Sequence, residues 1–182
     1  MATSTEARTV SASAKSASLV DIKSLVLLAI LLAAGFILNM TLGCALGIVG
    51  IKPQFIIAAY ALTIILTRAN LLQAAIYAIV SAAVIQLTTS IPGLNFVTDL
   101  VAALLMSALV GANVGGGKAN PLIAAFFTTL VSGALFAVLG TVLMGAELAT
   151  AVVKAPIVLG TAVFNAIVVQ ALYFPLKKVL GN

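Results

Sequence analysis

Between Ser24 and Pro175 the chain repeats apolar runs of about 18–22 residues, separated by short clusters of Gly, Pro, Asn or a single cation. A helical run of that length matches a hydrocarbon core about 30 Å thick. The 182 residues provide about six such runs with short connections and leave no room for a soluble catalytic domain. Composition agrees: the chain is 63% hydrophobic and 7% charged, with a mean hydropathy of +1.30. The expected fold is therefore an all-α integral membrane protein, a bundle of six transmembrane helices over residues 23–182. A polar tail over residues 1–22, rich in Ser, Ala and Thr, precedes it and is expected to be disordered. So long a polar segment ahead of the first apolar run argues against a cleaved signal peptide.

Punctuation places the spans. The first is expected over 24–43, followed by a loop from Gly43 to Gly50. Pro53 to Thr89 is continuously apolar except at Arg68-Ala69-Asn70. As one helix it would run about 55 Å, too long for one crossing, so a tight break at 68–70 divides it into spans near 53–67 and 71–89. Ser90-Ile91-Pro92-Gly93 is turn chemistry. A fourth span is expected over 96–113, then a loop at Gly115-Gly116-Gly117-Lys118. Asn120-Pro121 reads as an N-cap followed by proline at the first helical position, opening a fifth span over 121–144. Pro156 opens the sixth, which is expected to run to about Pro175.

Six spans put both termini on one side, with Arg8, Lys15, Lys23, Arg68, Lys118, Lys177 and Lys178. Lys52 and Lys154 are left on the other. By the positive-inside rule the termini are cytoplasmic. The net charge of +5 thus sets orientation and does not signal nucleic-acid binding. With no His and one Cys, structural zinc, Cys–His catalysis and an intrachain disulfide have no residues to build on. Cys44, beside Gly43, reads as a small packing residue. Ala112 to Ala119 has the outline of a phosphate loop but lacks its first Gly and its final Ser/Thr, and it follows an apolar helix. No cofactor and no enzymatic activity are expected.

A few polar residues intrude near the outer end. Lys52 is either a snorkelling interfacial lysine or a partner for a carboxylate. Asp99, just inside the fourth span, is either a carboxylate at the positive end of the helix dipole, with Asn95 or Thr98 as cap, or an anchor for an ammonium group. Asn165 lies in the sixth span, where interhelical hydrogen bonding or ligand contact both account for an amide. Asn39, Gln54 and Gln86 are similar intrusions. Phe55, Tyr60 and Phe96 are belt aromatics or the walls of an indole-sized pocket. Ala29 and Ala33 form a small-residue face, either internal packing or a contact with another subunit. No strong internal repeat is visible.

Taken in order, these features resemble the substrate-binding (S) component of energy-coupling factor (ECF) ABC transporters, most closely the tryptophan-specific S components. The likeness spans residues 23–180. It rests on Ala29-x-x-x-Ala33 in the first span, Gly47-x-x-x-x-Lys52-Pro53 before the second, Ile91-Pro92 with Asn95 before the fourth, and Asn165 in a sixth span ending near Tyr173-x-Pro175. Where that family often carries acids, after the Lys-Pro pair and at position 98, this chain has Gln54 and Thr98, and its acid is Asp99. The resemblance implies a protein of a prokaryotic cell membrane that binds substrate from outside. It then docks through Ala29 and Ala33 on a transmembrane T component served by two cytoplasmic ATPases. The implied substrate site is Lys52, Gln54, Phe55, Asn95, Phe96, Asp99 and Asn165. Lys52 would take the carboxylate and Asp99 the ammonium of tryptophan, with an amide such as Asn165 or Gln54 for the indole N–H. The alternatives are an S component for a vitamin, in which Asp99 has no role, and a small membrane scaffold subunit without ligand.

Overall fold

The computed structural model describes residues 21–47 and 53–181. Residues 1–20 of the polar tail and Lys52 lie outside the described residues. All regular structure among the described residues is helical: α1 (Ile22–Leu38), a π-helical turn (Asn39–Gly43), α2 (Cys44–Gly47), α3 (Phe55–Thr67), α4 (Leu71–Ile85), α5 (Leu94–Gly111), α6 (Asn120–Leu143), α7 (Ala149–Val153) and α8 (Ala155–Val179). Four helical segments are long and apolar enough to cross a membrane: Ile22–Gly47, α5, α6 and α8. The other two apolar helices, α3 and α4, have 13 and 15 residues, about 20 and 22 Å of helix, less than a full hydrocarbon core.

The short α3 is the centre of the bundle. Every residue from Phe55 to Leu66 is buried, and α1, α4, α5, α6 and α8 all pack against it. A helix apolar on every face is stable only where every face meets other helices or lipid; here they meet helices. α1 is the opposite case. It buries Leu28, Leu32 and Gly35, a single stripe at helical spacing, and leaves Val26, Ile30 and Ile37 exposed. Large apolar side chains are likewise exposed around the rest of the molecule, among them Val101, Phe127, Val142 and Ile167, as expected of a surface solvated by lipid tails and not by water.

The break between α3 and α4 falls where length requires it. Arg68 adopts the left-handed conformation, with φ 49, and ends α3. Asn70 and Gln73 then form a reciprocal capping box at the start of α4: Gln73 N–H donates to Asn70 Oδ1 at 2.9 Å, and Asn70 N–H to Gln73 Oε1 at 3.1 Å. Ser107 Oγ donates to the Ala69 carbonyl at 2.7 Å and ties the turn to α5.

Six local expectations are corrected. The first helix does not stop at Gly43; a π-turn carries it on to Gly47, and Cys44 is exposed there instead of packed. α4 ends at Ile85, short of Thr89, because Gln86 turns back: its Oε1 accepts from the Gly93 N–H at 2.8 Å and closes the connection to α5. The N-cap of α5 is Gly93 in the left-handed region, φ 85, so neither Asn95 nor Thr98 caps it. Ala119, not Asn120, is the N-cap of α6. Asn120 instead donates to the carbonyls of Leu109 and Val114 at 3.2 and 3.0 Å, closing the end of α5. α8 continues through Pro175 to Val179.

The contact of α1 with α3 is made at Gly35, where an added Cβ would stand 2.9 Å from the Phe55 carbonyl oxygen. Gly35→Ala should therefore force the two backbones apart and cost about 1–3 kcal/mol of stability. Gly160→Ala, at a position with open space around it, should be neutral or slightly favourable. Thermal unfolding of the detergent-purified variants checks the pair; equal midpoints would mean that α1 does not depend on this approach.

Candidate functional site

Two polar clusters form where α1, α3, α5, α6 and α8 meet toward the end of the bundle that carries Gln54. The first holds the start of α3. A helix N-terminus leaves backbone N–H groups without intrahelical partners, and in an apolar bundle water cannot supply them. Side-chain amides from two other helices do. Asn39, brought inward by the π-turn that ends α1, accepts from Phe55 N–H at 2.9 Å. Asn165 on α8 donates through Nδ2 to the Gln54 carbonyl at 2.9 Å and accepts at Oδ1 from Gln54 N–H at 3.4 Å. Its Nδ2 also lies 3.4 Å from Thr129 Oγ1 on α6. Asn165 is fully buried, and both ends of its amide engage the Gln54 peptide. Beside it, Phe164 and Phe55 pack edge to face, with ring centroids 5.9 Å apart.

The second cluster surrounds Asp99, which is 1% exposed. Ser132 on α6 donates to its Oδ1 at 2.9 Å, and Asn95, one turn earlier on α5, is a second polar neighbour. Asn95 in turn accepts from Thr89 Oγ1 at 2.7 Å. Tyr60 on α3 lies within electrostatic range of the carboxylate. Asp99 Oδ2, the Tyr60 hydroxyl and the Thr98 hydroxyl are buried without a hydrogen-bond partner among the described residues. A buried carboxylate oxygen of this kind is costly unless something else meets it, and the group suited to do so is a cation or a hydrogen-bond donor.

Of the residues picked out by sequence, the structure brings Gln54, Phe55 and Asn165 together in the first cluster and Asn95 and Asp99 in the second. Phe96 is not part of either; it is 37% exposed, on the outer face of α5 with Val97 and Val101. Ala29 and Ala33 are exposed on α1. Glu147 is exposed, whereas Lys154 Nζ donates to Thr141 Oγ1 at 3.3 Å and joins α8 to the end of α6. Sequence reasoning missed Thr129, Ser132 and Phe164. The signal for the first two was present: Thr128, Thr129 and Ser132 form a hydroxyl stripe at helical spacing on an otherwise apolar helix, and all three are buried.

No family model, curated protein or solved structure matches this chain.

Removing the Asn165 amide strands the Gln54 N–H at the start of α3 and leaves the Gln54 carbonyl only its bond from Ala58 N–H at 3.2 Å. Asn165→Ala should cost about 1–3 kcal/mol. Thr129→Ala, which loses only a 3.4 Å contact, should cost less. Thermal unfolding in detergent measures both, and an Asn165→Ala midpoint equal to the parent would show that the amide does not hold the helix start.

Proposed function

We propose that this chain is the substrate-binding S component of an ECF-type ABC importer in a prokaryotic cell membrane, and that its substrate is tryptophan. In this reading α3 and α4 complete a set of six spans with both termini cytoplasmic. The observation that carries the ligand assignment is Asp99: a carboxylate inside an apolar bundle, with Ser132 on one oxygen and no partner for the other among the described residues. Oδ2 is the atom that meets the substrate ammonium. Lys52, one residue before the Pro53-Gln54-Phe55 segment, takes the substrate carboxylate. The paired rings of Phe55 and Phe164 offer an aromatic wall to the indole. Asn165 acts by holding the Gln54 peptide, and so supports the segment on which Lys52 stands.

The exposed Ala29 and Ala33 lie off the stripe of α1 that Leu28, Leu32 and Gly35 bury among the described residues. Small side chains let another helix approach closely, which supports docking of this face on a transmembrane T component. Two cytoplasmic ATPases, separate chains, drive transport.

Calorimetry with three ligands tests the site. Lys52→Ala removes a charge-assisted contact, so tryptophan affinity should fall by about 1.5–3 kcal/mol, roughly 10- to 200-fold. Tryptamine, without a carboxylate, should lose much less. Asp99→Asn should weaken tryptophan more than indole-3-propionate, which has no ammonium. Equal losses for all three ligands at both positions would refute the assigned roles. Absence of tryptophan binding by the unmutated protein would exclude this substrate.

Orientation is tested separately. In a Cys44→Ala background, a thiol reagent that cannot cross the membrane should label Glu147→Cys from outside and leave Lys118→Cys unlabelled. The seven-to-two division of Lys and Arg motivates this expectation, and the opposite labelling would invert the topology and with it the site.

A further inference from the structure

At the other end of the bundle from Asp99, the C-terminal ends of α3 and α8 enclose an open recess of about 420 Å³ lined by Ile65, Leu66, Thr67, Arg68, Tyr173 and Lys177. Among the described residues, two cations line it and no carboxylate does. Asp99 and Glu147 belong to the opposite end, and Asp21 is not among the lining residues. Lys177 is half-buried, with Nζ 5.7 Å from the centroid of the Tyr173 ring. Its neighbour Lys178 is exposed and outside the recess.

Arg68 stands in a costly place. Its left-handed backbone, φ 49, is the conformation that glycine adopts most easily at a helix end, and a long side chain there is disfavoured. The turn that holds it is rigid, fixed by the Asn70–Gln73 capping box and by the Ser107 bond to Ala69. Arg68 also borders a second recess of about 360 Å³ walled by Leu71, Ala108 and Val110. Arg68 thus borders both a cationic recess and an apolar one, and Leu71, Leu72, Leu172 and Phe174 are exposed.

We infer that Arg68 and Lys177 form a binding site for the phosphate of an anionic membrane lipid, with an acyl chain lying along the apolar recess beside Leu71 and Val110. A guanidinium provides paired donors for phosphate oxygens, and a lysine adds a point charge. Basic pockets between membrane helices suit lipid headgroups. The adjoining apolar walls favour an amphiphile over free phosphate. This site is independent of the substrate assigned to Asp99.

The test uses the full chain in nanodiscs of equimolar phosphatidylglycerol and phosphatidylcholine, with retained lipid read by native mass spectrometry. The parent protein should retain phosphatidylglycerol in roughly tenfold preference. The double variant Arg68→Ala/Lys177→Ala should fall to near parity, while Lys178→Ala keeps the preference. Circular dichroism and the thermal midpoint establish that each variant is folded. Unchanged preference in the folded double variant overturns the proposal, and so does an equal loss in Lys178→Ala, which would indicate diffuse surface charge. Inorganic phosphate at matched ionic strength should not displace the lipid; displacement would identify a free-phosphate site instead. If the double variant keeps its lipid preference but fails to assemble with the other importer subunits, the recess receives an acidic protein segment and the lipid assignment is wrong.

Discussion

The fold turns on how the start of α3 is satisfied. This helix is enclosed by five others, so its first N–H groups cannot turn to water. Asn39 accepts from Phe55 N–H at 2.9 Å, and Asn165 accepts from Gln54 N–H at 3.4 Å while donating to the Gln54 carbonyl at 2.9 Å. An unsatisfied peptide group in such surroundings costs several kcal/mol. These two amides therefore do more than join helices. They fix where the buried helix begins, and they place α1 and α8 against the same short segment of chain. The close approach at Gly35, which sits against the Phe55 carbonyl, belongs to the same junction.

Asp99 gains its interest from the contrast with that junction. Around Gln54 the amide groups and their partners match. Around Asp99 one oxygen has Ser132, and the other, with the Tyr60 and Thr98 hydroxyls, has no partner among the described residues. Both clusters lie in the same layer of helices, yet one is complete and the other is not. A complete polar cluster makes a rigid support, and an incomplete one leaves interaction free energy for a ligand to recover. In the proposed function, that difference makes Asn165 a positioning residue and Asp99 the group that meets the ligand.

Much of the helix inventory was legible from local chemistry. The break at Arg68-Ala69-Asn70 followed from length, because no single helix of that extent fits a bilayer. The loop of glycines before Lys118 and the helix opened by Pro156 followed from backbone preferences. The errors were errors of partner. Asn120 has the right residue type for an N-cap, but its amide serves the end of α5. Asn95 was a reasonable cap until Gly93, in the left-handed region, took that position. Phe96 has the composition of a pocket wall and faces outward. In each case the residue type was suited to the expected role, and geometry across helices assigned another.

Sequence by itself determined that the chain is helical and apolar, where its long helices begin, and that Asp99 is an isolated acid in need of a reason. Local spacing and transfer free energy suffice for that, since each helix must satisfy its own backbone and match its own surroundings. It could not say which helix is central. α1 and α3 are both apolar on nearly every face, yet one buries three residues and the other almost all of its length. In a chain whose lipid-facing and core-facing surfaces are equally hydrophobic, periodicity carries no inward direction. Only the tertiary structure decides it, through shape and through pairs such as Gln54 and Asn165, 111 residues apart, whose meeting no local rule specifies.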